Sequence, residues 1–424
     1  MHQNVVDCLL ERGFIDQMTS QDLRKHLSEP RKVYVGFDPT ADSLHLGNLI
    51  PVMGLAWFQK FGHTPVAIVG GATGRIGDPS GKSTERPLLS DEVLEGNVRC
   101  LDRFFQAIFP SAEPRPIVLN NNEWLGSFML IDFLRDVAKL FRVGPMLAKE
   151  SVKARLQSEE GMSFTEFSYQ ILQAYDFAHL YQRYGVTVQM GASDQWGNIT
   201  AGIEYNRKAG GETLYGLTFP LLTRSDGKKF GKSEEGAVWL SAEKLSPYQF
   251  YQYLVRIPDA DVIRMLRVLT FLDMAKIERI EEEMKAPNYE PNTAQKILAA
   301  EVTRFVHGEE GLETALRVTE GLFAGSEAQL SGAALQEIAK DMPHVQLSRA
   351  DVVGQKYVEL LVKVGLSPSK SEAIRLVKNG GAYLNNQKVQ DPSYVFSNAD
   401  LIEKAFVLLR AGKKNQLLIS VIPK

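Results

Sequence analysis

The chain is poor in cysteine and has no long apolar run, and both shortages limit what it can be. Cys8 and Cys100 are its only cysteines, so it has neither a disulfide framework nor a Cys-x-x-Cys zinc motif, which agrees with a reducing compartment. No apolar stretch is long enough to span a bilayer, and the first residues lack the basic and apolar regions of a signal peptide. We therefore expect a cytoplasmic protein with no membrane segment and no structural metal.

The chain as a whole also lacks an excess of charge, although its two ends differ. The net charge is −3, and hydrophobic residues at 44% with charged residues at 23% are ordinary globular values that argue against disorder. From 355 to 424, eleven Lys and Arg face five Asp and Glu, so the rest of the chain is acidic. The basic tail favours a polyanionic partner, although a basic solvated surface would give the same count. The length of 424 residues predicts about two to four domains.

The glycine-rich segment lacks the spacing of the familiar phosphate-binding loops. Five glycines lie between positions 70 and 81, after an apolar run at 65–69 that is typical of a buried parallel strand. Their spacing matches neither the dinucleotide fingerprint nor the Walker loop, so a simple turn competes with a phosphate loop. Lys82 and Arg86 follow and could contact phosphate oxygens or water.

Two strand-to-helix crossovers are predicted, and together they indicate an α/β protein with a parallel sheet. A strand at 31–35 is expected to break at Gly36 and to feed a helical run at 46–58, and a strand at 186–190 feeds a helix through 191–195. Such crossovers bind ligands in open α/β sheets, and helix N-termini favour anions. His45 and Asn48 would share one face of the first turn. The competing interpretation is a capped helix with a satisfied histidine.

Three further segments carry polar patterns with two interpretations each. Tyr169, Gln173 and Asp176 line one face of a predicted helix at 164–180, either as a binding face or as a solvent-facing stripe. The stretch 223–233 is a cationic loop that could act on a ligand or lie on the surface. In the tail, a basic helix beside a two-stranded hairpin suits an RNA backbone.

The pattern is helical from 246 to about 325, including runs at 294–307 and 311–323, while 129–141 has helical spacing but no evident chemistry. We expect that this second segment, within an insertion at about 120–160, packs against another subunit.

These motifs resemble the class I aminoacyl-tRNA synthetases, and among them the bacterial branch specific for tyrosine. Residues 45–48, His-Leu-Gly-Asn, resemble the His-Ile-Gly-His signature, and 229–233, Lys-Phe-Gly-Lys-Ser, resemble the Lys-Met-Ser-Lys-Ser loop. The stretches 36–40 and 191–198 are similar to those of tyrosine enzymes, and the tail is similar to an S4-like module. Asn48 departs from the signature, because an amide donates a hydrogen bond but carries no positive charge.

The resemblance implies a fold and a domain order. The expected fold is a Rossmann-like parallel-sheet catalytic domain, then an α-helical domain, then a small α+β S4-like domain. We place these at 1–235, 236–325 and 351–424, with a linker at 326–350.

The resemblance also implies the reaction and its residues. Tyrosine would be activated by ATP with Mg²⁺ and passed to the 3′ end of tRNA(Tyr) by a homodimer, through positioning and charge stabilisation. Phosphates would be held by Thr40, His45, Asn48, Lys82, Arg86, Lys229 and Lys232, with Ser233 on the same loop. Tyrosine would contact Tyr34, Asp38, Asp78, Tyr169, Gln173, Asp176, Gln189 and Gln195, of which Tyr34 and Asp176 would face its hydroxyl. ATP would also approach Gly36, Gly47 and Gly191 and place its ribose near Asp194, and RNA would contact Lys370, Arg375, Lys378, Lys413 and Lys414.

Three other functions compete with this one. A tryptophan enzyme of the same fold is disfavoured by Tyr34 and Asp176, because indole offers a donor and no hydroxyl. An RNA-binding protein that has lost catalysis would explain Asn48 but not the retained loop lysines. A nucleotidyltransferase acting on a small acid would not need the basic tail.

Overall fold

A computed structural model describes the chain in two compact units. The described residues are 4–82, 84–109, 113–159, 161–221, 223, 225, 227, 230–233, 236–322, 332, 335, 336, 339, 342–412 and 415–422. One unit comprises 1–245 with 252–306, and the other comprises 246–251 with 307–424. Of the predicted site residues, Lys229, Lys413 and Lys414 lie outside the described residues.

Helices and strands occur in both units. The α-helices are α1 Val5–Glu11, α2 Leu23–His26, α3 Leu49–Lys60, α4 Asp91–Ile108, α5 Asn122–Leu125, α6 Leu130–Asp132, α7 Val143–Leu147, α8 Glu150–Leu156, α9 Phe164–Tyr184, α10 Trp196–Lys208, α11 Pro247–Val255, α12 Asp259–Leu269, α13 Met274–Glu283, α14 Thr293–Gly321, α15 Tyr357–Lys363 and α16 Lys370–Lys378. The strands are β1 Gln17–Met18, β2 Lys32–Phe37, β3 Thr64–Val69, β4 Ile117–Asn120, β5 Val186–Ala192, β6 Tyr215–Phe219, β7 Lys232–Ser233, β8 Gly236–Ala237, β9 His344–Ser348, β10 Ala382–Leu384, β11 Gln387–Lys388, β12 Phe406–Ala411 and β13 Asn415–Ile422.

A six-stranded sheet organises the first unit. Its order is β1-β6-β5-β2-β3-β4, and every neighbouring pair except β1 with β6 is parallel. The chain moves from β2 toward β3 and β4 on one side, and from β5 toward β6 on the other. The carboxyl ends of β2 and β5 therefore flank a topological switch point, which is where open α/β sheets bind ligands. The predicted parallel-sheet fold is confirmed.

Local sequence accounts for the helices around this sheet. Ser163 accepts a hydrogen bond from the backbone N–H of Glu166 and begins α9, and Gly185 ends it with a φ of 69°. Behind the site, Phe177 and Leu180 of α9 pack with Val66 and Ile68 of β3 in a buried apolar cluster. This packing fixes the polar face of α9 against the sheet, because a close-packed core leaves a helix little freedom to rotate.

Two predicted elements differ from the structure, and a predicted pair of helices is confirmed. The strand does not break at Gly36, because β2 continues to Phe37 in the middle of the sheet. The segment 129–141 forms a short α-helix, a π-turn and a 3-10 turn in place of one helix. The two helices expected at 294–307 and from 311 are both present within the range of α14, with a non-helical break between them at Gly308, where φ is 72°.

The second unit has a sheet of its own, in the order β11-β10-β12-β13-β9. The predicted hairpin is present, and Asn385 and Asn386 form its turn with φ values of 47° and 66°. Ser369 accepts a hydrogen bond from the N–H of Glu372 and begins α16. Buried residues of α15, α16 and the sheet form one core, so this part of the chain carries the α+β fold that was expected. Among the described helices, none is long and apolar enough to cross a membrane.

Candidate active site

An open cleft lies over the middle of the sheet, and a glycine makes it possible. Tyr34, Gly36 and Asp38 alternate along β2 and its end, so they share one face of the sheet. Gly36 is exposed although β2 is a central strand, and a Cβ atom there would meet nothing within 4 Å. The cleft therefore has Tyr34 at one end and Asp38 at the other.

The end of the cleft near Tyr34 contains buried polar atoms without partners. Tyr34 pairs in register with Gln189 of β5, and each is only 2% exposed. Within the described part of the chain, the Tyr34 hydroxyl and the Gln189 Oε1 atom have no hydrogen-bond partner. Burial, with a smaller contribution from Asp176, raises the pKa of Tyr34 well above its ordinary value, so the hydroxyl keeps its proton. An unpaired buried polar group costs about 1–3 kcal/mol, which a polar ligand group would recover.

Asp176 of α9 belongs to the same end of the cleft, and both its oxygens accept hydrogen bonds. The Nε1 atom of Trp124 donates to Oδ1 at 2.7 Å, and the Nδ2 atom of Asn121 donates to Oδ2 at 3.0 Å. Burial raises the pKa of Asp176 to about 7, although the two donors oppose this and nearby Asp38 adds to it. Asp176 can therefore accept a hydrogen bond from a ligand, and its orientation is set by Asn121 and Trp124.

Asp38 is held at the carboxyl end of β2 by two hydroxyl groups. Thr73 Oγ1 donates to Oδ1 at 2.7 Å, and the Tyr169 hydroxyl donates to Oδ2 at 2.9 Å. Burial raises the pKa of Asp38 to about 6, with the two hydroxyls opposing and Asp78 reinforcing the shift. A Cβ atom on Gly70 would lie 2.2 Å from Asp38 Oδ1, so this glycine makes room for the pair.

Asp78 is a further carboxylate near Asp38, and it bonds to a chain of amide side chains beside α9. Gln195 Nε2 donates to Asp78 Oδ2 at 2.6 Å, and Gln173 Nε2 donates to Gln195 Oε1 at 3.2 Å. The backbone N–H of Ser80 donates to Asp78 Oδ1 at 2.9 Å. The buried Gln173 Oε1 atom has no partner among the described residues. Two carboxylates with amide and phenol oxygens between them form a site suited to an ammonium group.

The two stretches that resemble class I signatures meet in the structure. A Cβ atom on Gly231 would lie 2.7 Å from the backbone nitrogen of Gly47, so the two backbones touch. The N–H of Leu46 donates to the Val238 carbonyl at 2.7 Å and the N–H of Leu240 to the Leu44 carbonyl at 2.9 Å. This contact brings 230–231 against the start of the helical run that leads into α3.

His45 and Asn48 together cap the start of this helical run. Asn48 Oδ1 accepts from the N–H of His45 at 3.1 Å, and His45 Nδ1 accepts from the N–H of Gly47 at 3.1 Å. These two bonds cap the helical start, as the competing interpretation predicted. The capping does not exclude a role with a ligand, because neither of these two bonds uses the Nδ2 atom of Asn48, which can donate to a ligand.

Two cavities adjoin the cleft and carry positive charge. Thr40 and Arg86 line a cavity of about 130 Å³ that also touches Asp38. A larger one of about 870 Å³ is lined by Lys82, Lys149 and Asp194, among others, and is of a size typical for small-molecule sites. Burial lowers the pKa of Lys149 to about 8, with Asp78 opposing, and its Nζ atom has no hydrogen-bond partner in the described structure. The lysine side chains that line the larger cavity suit a polyanionic ligand.

Two of the three glycines predicted to approach ATP make room for side chains of the site. A Cβ atom on Gly47 would lie 2.9 Å from the His45 ring, and one on Gly191 would lie 2.9 Å from Cβ of Gln195. Gly81 similarly makes room for Asp194. These glycines allow site side chains to lie close to the backbone, and the direct approach of ATP to Gly36, Gly47 and Gly191 stays a prediction. Lys232 and Ser233 form β7, which pairs with β8.

Sequence reasoning missed three residues that hold the site together. Thr73, Asn121 and Trp124 bond to Asp38 and Asp176, and Asn121 also donates to Thr73 Oγ1 at 3.0 Å. The signal was available, because the run Asn120 to Asn122 follows β4 at the same carboxyl edge that carries Asp38. The sequence alone predicts a turn at 120–122, and that prediction does not include the edge of the sheet on which the run lies.

The predicted RNA-binding side chains of α16 lie on its surface. Lys370, Arg375 and Lys378 are exposed, and Lys370 forms an ion pair with Glu359 at 2.9 Å. His63 is buried and His307 is half-buried, and burial lowers the pKa of each to about 4. No cluster of three or more His, Cys, Asp or Glu that could hold a metal occurs among the residues the structure describes.

Comparison with known proteins gives consistent results along the whole chain. The family model described as tRNA synthetases class I (W and Y) matches residues 25–324, and that of the tyrosine–tRNA ligase SYY-like C-terminal domain matches 334–419. The tyrosine–tRNA ligase of Protochlamydia amoebophila is 58% identical over 99% of both chains. The chloroplastic/mitochondrial tyrosine–tRNA ligase of Arabidopsis thaliana is 51% identical over 99% of this chain and 84% of its own. A solved structure, the C-terminally truncated mitochondrial tyrosyl-tRNA synthetase of Aspergillus nidulans, is similar with a TM-score of 0.67 and 31% identity, over 76% of this chain and 95% of its own.

Proposed function

Because the chain belongs to the class I aminoacyl-tRNA synthetases, in the family of the tyrosine and tryptophan enzymes, and its relatives are tyrosine–tRNA ligases, we propose that the cleft over β2 is its tyrosine site. The function is that of a tyrosine–tRNA ligase and has two steps. The carboxylate of tyrosine attacks the α-phosphorus of ATP and pyrophosphate leaves. A ribose hydroxyl at the tRNA 3′ end then attacks the carbonyl of tyrosyl-adenylate, and AMP leaves.

The observation that carries the proposal is the polar end of the cleft. Tyrosine enters with its ring over Gly36 and its hydroxyl between Tyr34 and Asp176. The phenol donates to the Asp176 carboxylate and accepts from the Tyr34 hydroxyl, whose proton has no other acceptor among the described residues. Phenylalanine would leave the Tyr34 hydroxyl unpaired in a buried place and give Asp176 no third donor, whereas indole cannot accept the proton of Tyr34.

At the other end of the cleft, the ammonium group of tyrosine is bound by Asp78, Tyr169 and Gln173. Gln195 supports Asp78 through the 2.6 Å bond, and Asp38 supports Tyr169 through the 2.9 Å bond. Gln189 completes the wall beside Tyr34. This arrangement directs the carboxylate of tyrosine toward the phosphate end, which is the positioning that the first step requires.

The phosphates of ATP lie among the cationic and polar groups near the helical start of α3. Thr40 and Arg86 act from the small cavity, Lys82 from the large one, and His45 and Asn48 from the signature turn. Lys229, Lys232 and Ser233 belong to the second signature, and Asp194 binds the ribose. These groups stabilise the charge that builds up on the phosphates as pyrophosphate leaves. Mg²⁺ arrives with ATP as part of the substrate, as it commonly does at phosphates.

The remaining proposals concern partners. Lys370, Arg375 and Lys378, with Lys413 and Lys414, contact the tRNA backbone, and 351–424 acts as the RNA-binding domain after the catalytic domain at 1–235, the helical domain at 236–325 and the linker at 326–350. The chain forms a homodimer through the insertion, where Met129, Leu130 and Ile131 are 71%, 70% and 69% exposed. Such a run of exposed apolar side chains is typical of an interface. The enzyme works in the cytoplasm.

Pyrophosphate exchange into ATP tests the function. The full chain is assayed with tyrosine, tryptophan or phenylalanine, and we expect exchange with tyrosine alone. Exchange with tryptophan but not tyrosine would overturn the substrate assignment. No exchange with any of the three would favour an RNA-binding protein without catalysis.

A further inference from the structure

The segment that carries Lys229 and Lys232 is attached to the fold on both sides. Before the lysines, Thr223 and Ser225 bond to α12. After Lys229, Phe230 and Gly231 pack on the start of the α3 run, where Phe230 is 5% exposed. Neither attachment uses a residue of the proposed tyrosine pocket.

The first attachment depends on one buried carboxylate. Asp261 is 2% exposed, and its Oδ1 and Oδ2 atoms accept from the backbone N–H of Ser225 at 3.0 and 3.1 Å. The Ser225 hydroxyl donates to Oδ2 at 3.1 Å. Arg264, one turn later, donates to the carbonyl of Thr223 and lies 3.5 Å from Asp261. Hydrogen bonds to an ionised acceptor are the stronger kind, so this contact fixes the backbone at Ser225.

The helix that carries Asp261 is itself held firmly. At the far end of α12, the Arg12 guanidinium donates to the carbonyls of Arg267 at 2.8 Å and Thr270 at 3.1 Å. The same guanidinium lies over the Trp57 ring of α3 at 4.3 Å. Since α3 follows directly on the signature turn at 45–48, α12 connects Ser225 to the helix of the phosphate site.

The second attachment allows little movement. Gly231 has a φ of 85° and its backbone touches that of Gly47, while its carbonyl accepts from the N–H of Val238 at 3.0 Å. Lys229 and Lys232 flank this glycine in the sequence. Ser225 lies four positions before Lys229 and six before Gly231, so the stretch of chain between the two attachments is short.

We infer that Asp261 is a positioning residue for adenylate formation, acting through Ser225 to set how the lysine-bearing segment meets the phosphates of ATP. This inference rests on the proposed function. Asp261 touches neither substrate, and so its effect falls on the rate of the phosphoryl step and not on tyrosine binding.

Steady-state pyrophosphate exchange by the full chain tests this inference. In Asp261→Asn, the amide keeps the size but loses the charge and presents a donor where Ser225 also donates. We expect kcat to fall about tenfold or more, because bonds to a charged acceptor are lost, while KM for tyrosine stays within about twofold. Ser225→Ala removes one of the three bonds and should lower kcat about three- to tenfold. The double variant should be no slower than Asp261→Asn, because both changes break one contact.

Asp259→Asn is the matched control, since Asp259 lies in the same helical turn but bonds to Gln295. Its kcat should equal that of the wild type. Wild-type kcat in Asp261→Asn, additive losses in the double variant, or an equal loss in tyrosine KM would overturn the inference. If Asp261→Asn folds poorly, Ser225→Ala decides, because its side chain is exposed and an unchanged kcat would contradict us. A wild type without exchange would instead refute the proposed function.

Discussion

Removing the hydroxyl of Tyr34 should stabilise the protein and weaken tyrosine binding at the same time. In the free enzyme this buried hydroxyl lacks a partner among the described residues, so Tyr34→Phe relieves a cost of about 1–3 kcal/mol in the free energy of unfolding. Bound tyrosine recovers this cost by pairing with the hydroxyl, so the same change forfeits about 1–3 kcal/mol of binding free energy and raises KM for tyrosine about 5- to 160-fold. Activity with phenylalanine should change little, because the free enzyme and the phenylalanine complex lose the same unpaired hydroxyl.

Tyr357→Phe provides the matched comparison. Tyr357 is equally buried, but its hydroxyl donates to the Tyr383 carbonyl at 2.9 Å. Its loss removes a buried hydrogen bond and should lower the midpoint of thermal unfolding, whereas Tyr34→Phe should raise it. Calorimetry of both variants and exchange kinetics with both amino acids measure these effects. If Tyr34→Phe is destabilised as Tyr357→Phe is, the Tyr34 hydroxyl is paired in the free enzyme and the reasoning fails.

The other predictions concern the same network, the dimer and the tail. Burial raises the pKa of Asp176 to about 7, so the unfolded state loses this proton at a lower pH than the folded state, and the free energy of unfolding falls as pH rises from about 4 to 7. Asp176→Asn should flatten that decline when unfolding by denaturant is measured at several pH values. An unchanged slope would contradict the assignment. Trp124→Phe removes the donor to Asp176 Oδ1 and should raise KM for tyrosine about tenfold with KM for ATP unchanged, so a loss shared by both substrates would argue against it. Ile131→Glu places a charge in the exposed apolar run and should shift the sedimenting species from dimer to monomer, whereas a wild type that sediments as a monomer would refute the interface. Replacing Lys370, Arg375 and Lys378 by Ala should spare exchange but lower tRNA charging and its salt dependence, and unchanged charging would remove α16 from the RNA contact.

The regular elements with strong periodicity could be predicted from the sequence. The apolar run at 65–69 lies in β3, and the helices at 164–180 and 196–205 are α9 and α10, each slightly longer than expected. These patterns depend on residues that are close together in the sequence, and burial of the element against one neighbouring helix or strand is enough to produce them.

Gly36 shows where local reasoning fails. Glycine usually ends a strand because it weakens pairing, yet here both neighbouring strands hold β2 in place. The absence of a side chain instead opens the cleft. The segment 129–141 fails for another reason, since its first apolar residues are exposed while Val137 is buried, so its helical spacing did not correspond to one buried face.

The candidate site was predicted in part. The polar face of α9 and the crossover residues follow from spacing and strand ends, and the family resemblance chose between their interpretations. The contacts of Asn121 and Trp124 with Asp176 span more than 50 residues and depend on the order of the strands, which the sequence pattern does not contain. The bond between Asp261 and Ser225 likewise joins residues that are far apart in the sequence.

The ratio of kcat/KM for tyrosine to that for phenylalanine, measured by pyrophosphate exchange in the wild type and in Asp176→Asn, tests the central claim most directly. Asp391→Asn, which changes an exposed carboxylate in the tail, serves as the control. We expect the wild type and the control to share a large ratio in favour of tyrosine, and Asp176→Asn to lose most of it, because the phenol then lacks its charged acceptor. An Asp176→Asn ratio equal to that of the wild type would show that tyrosine is selected elsewhere.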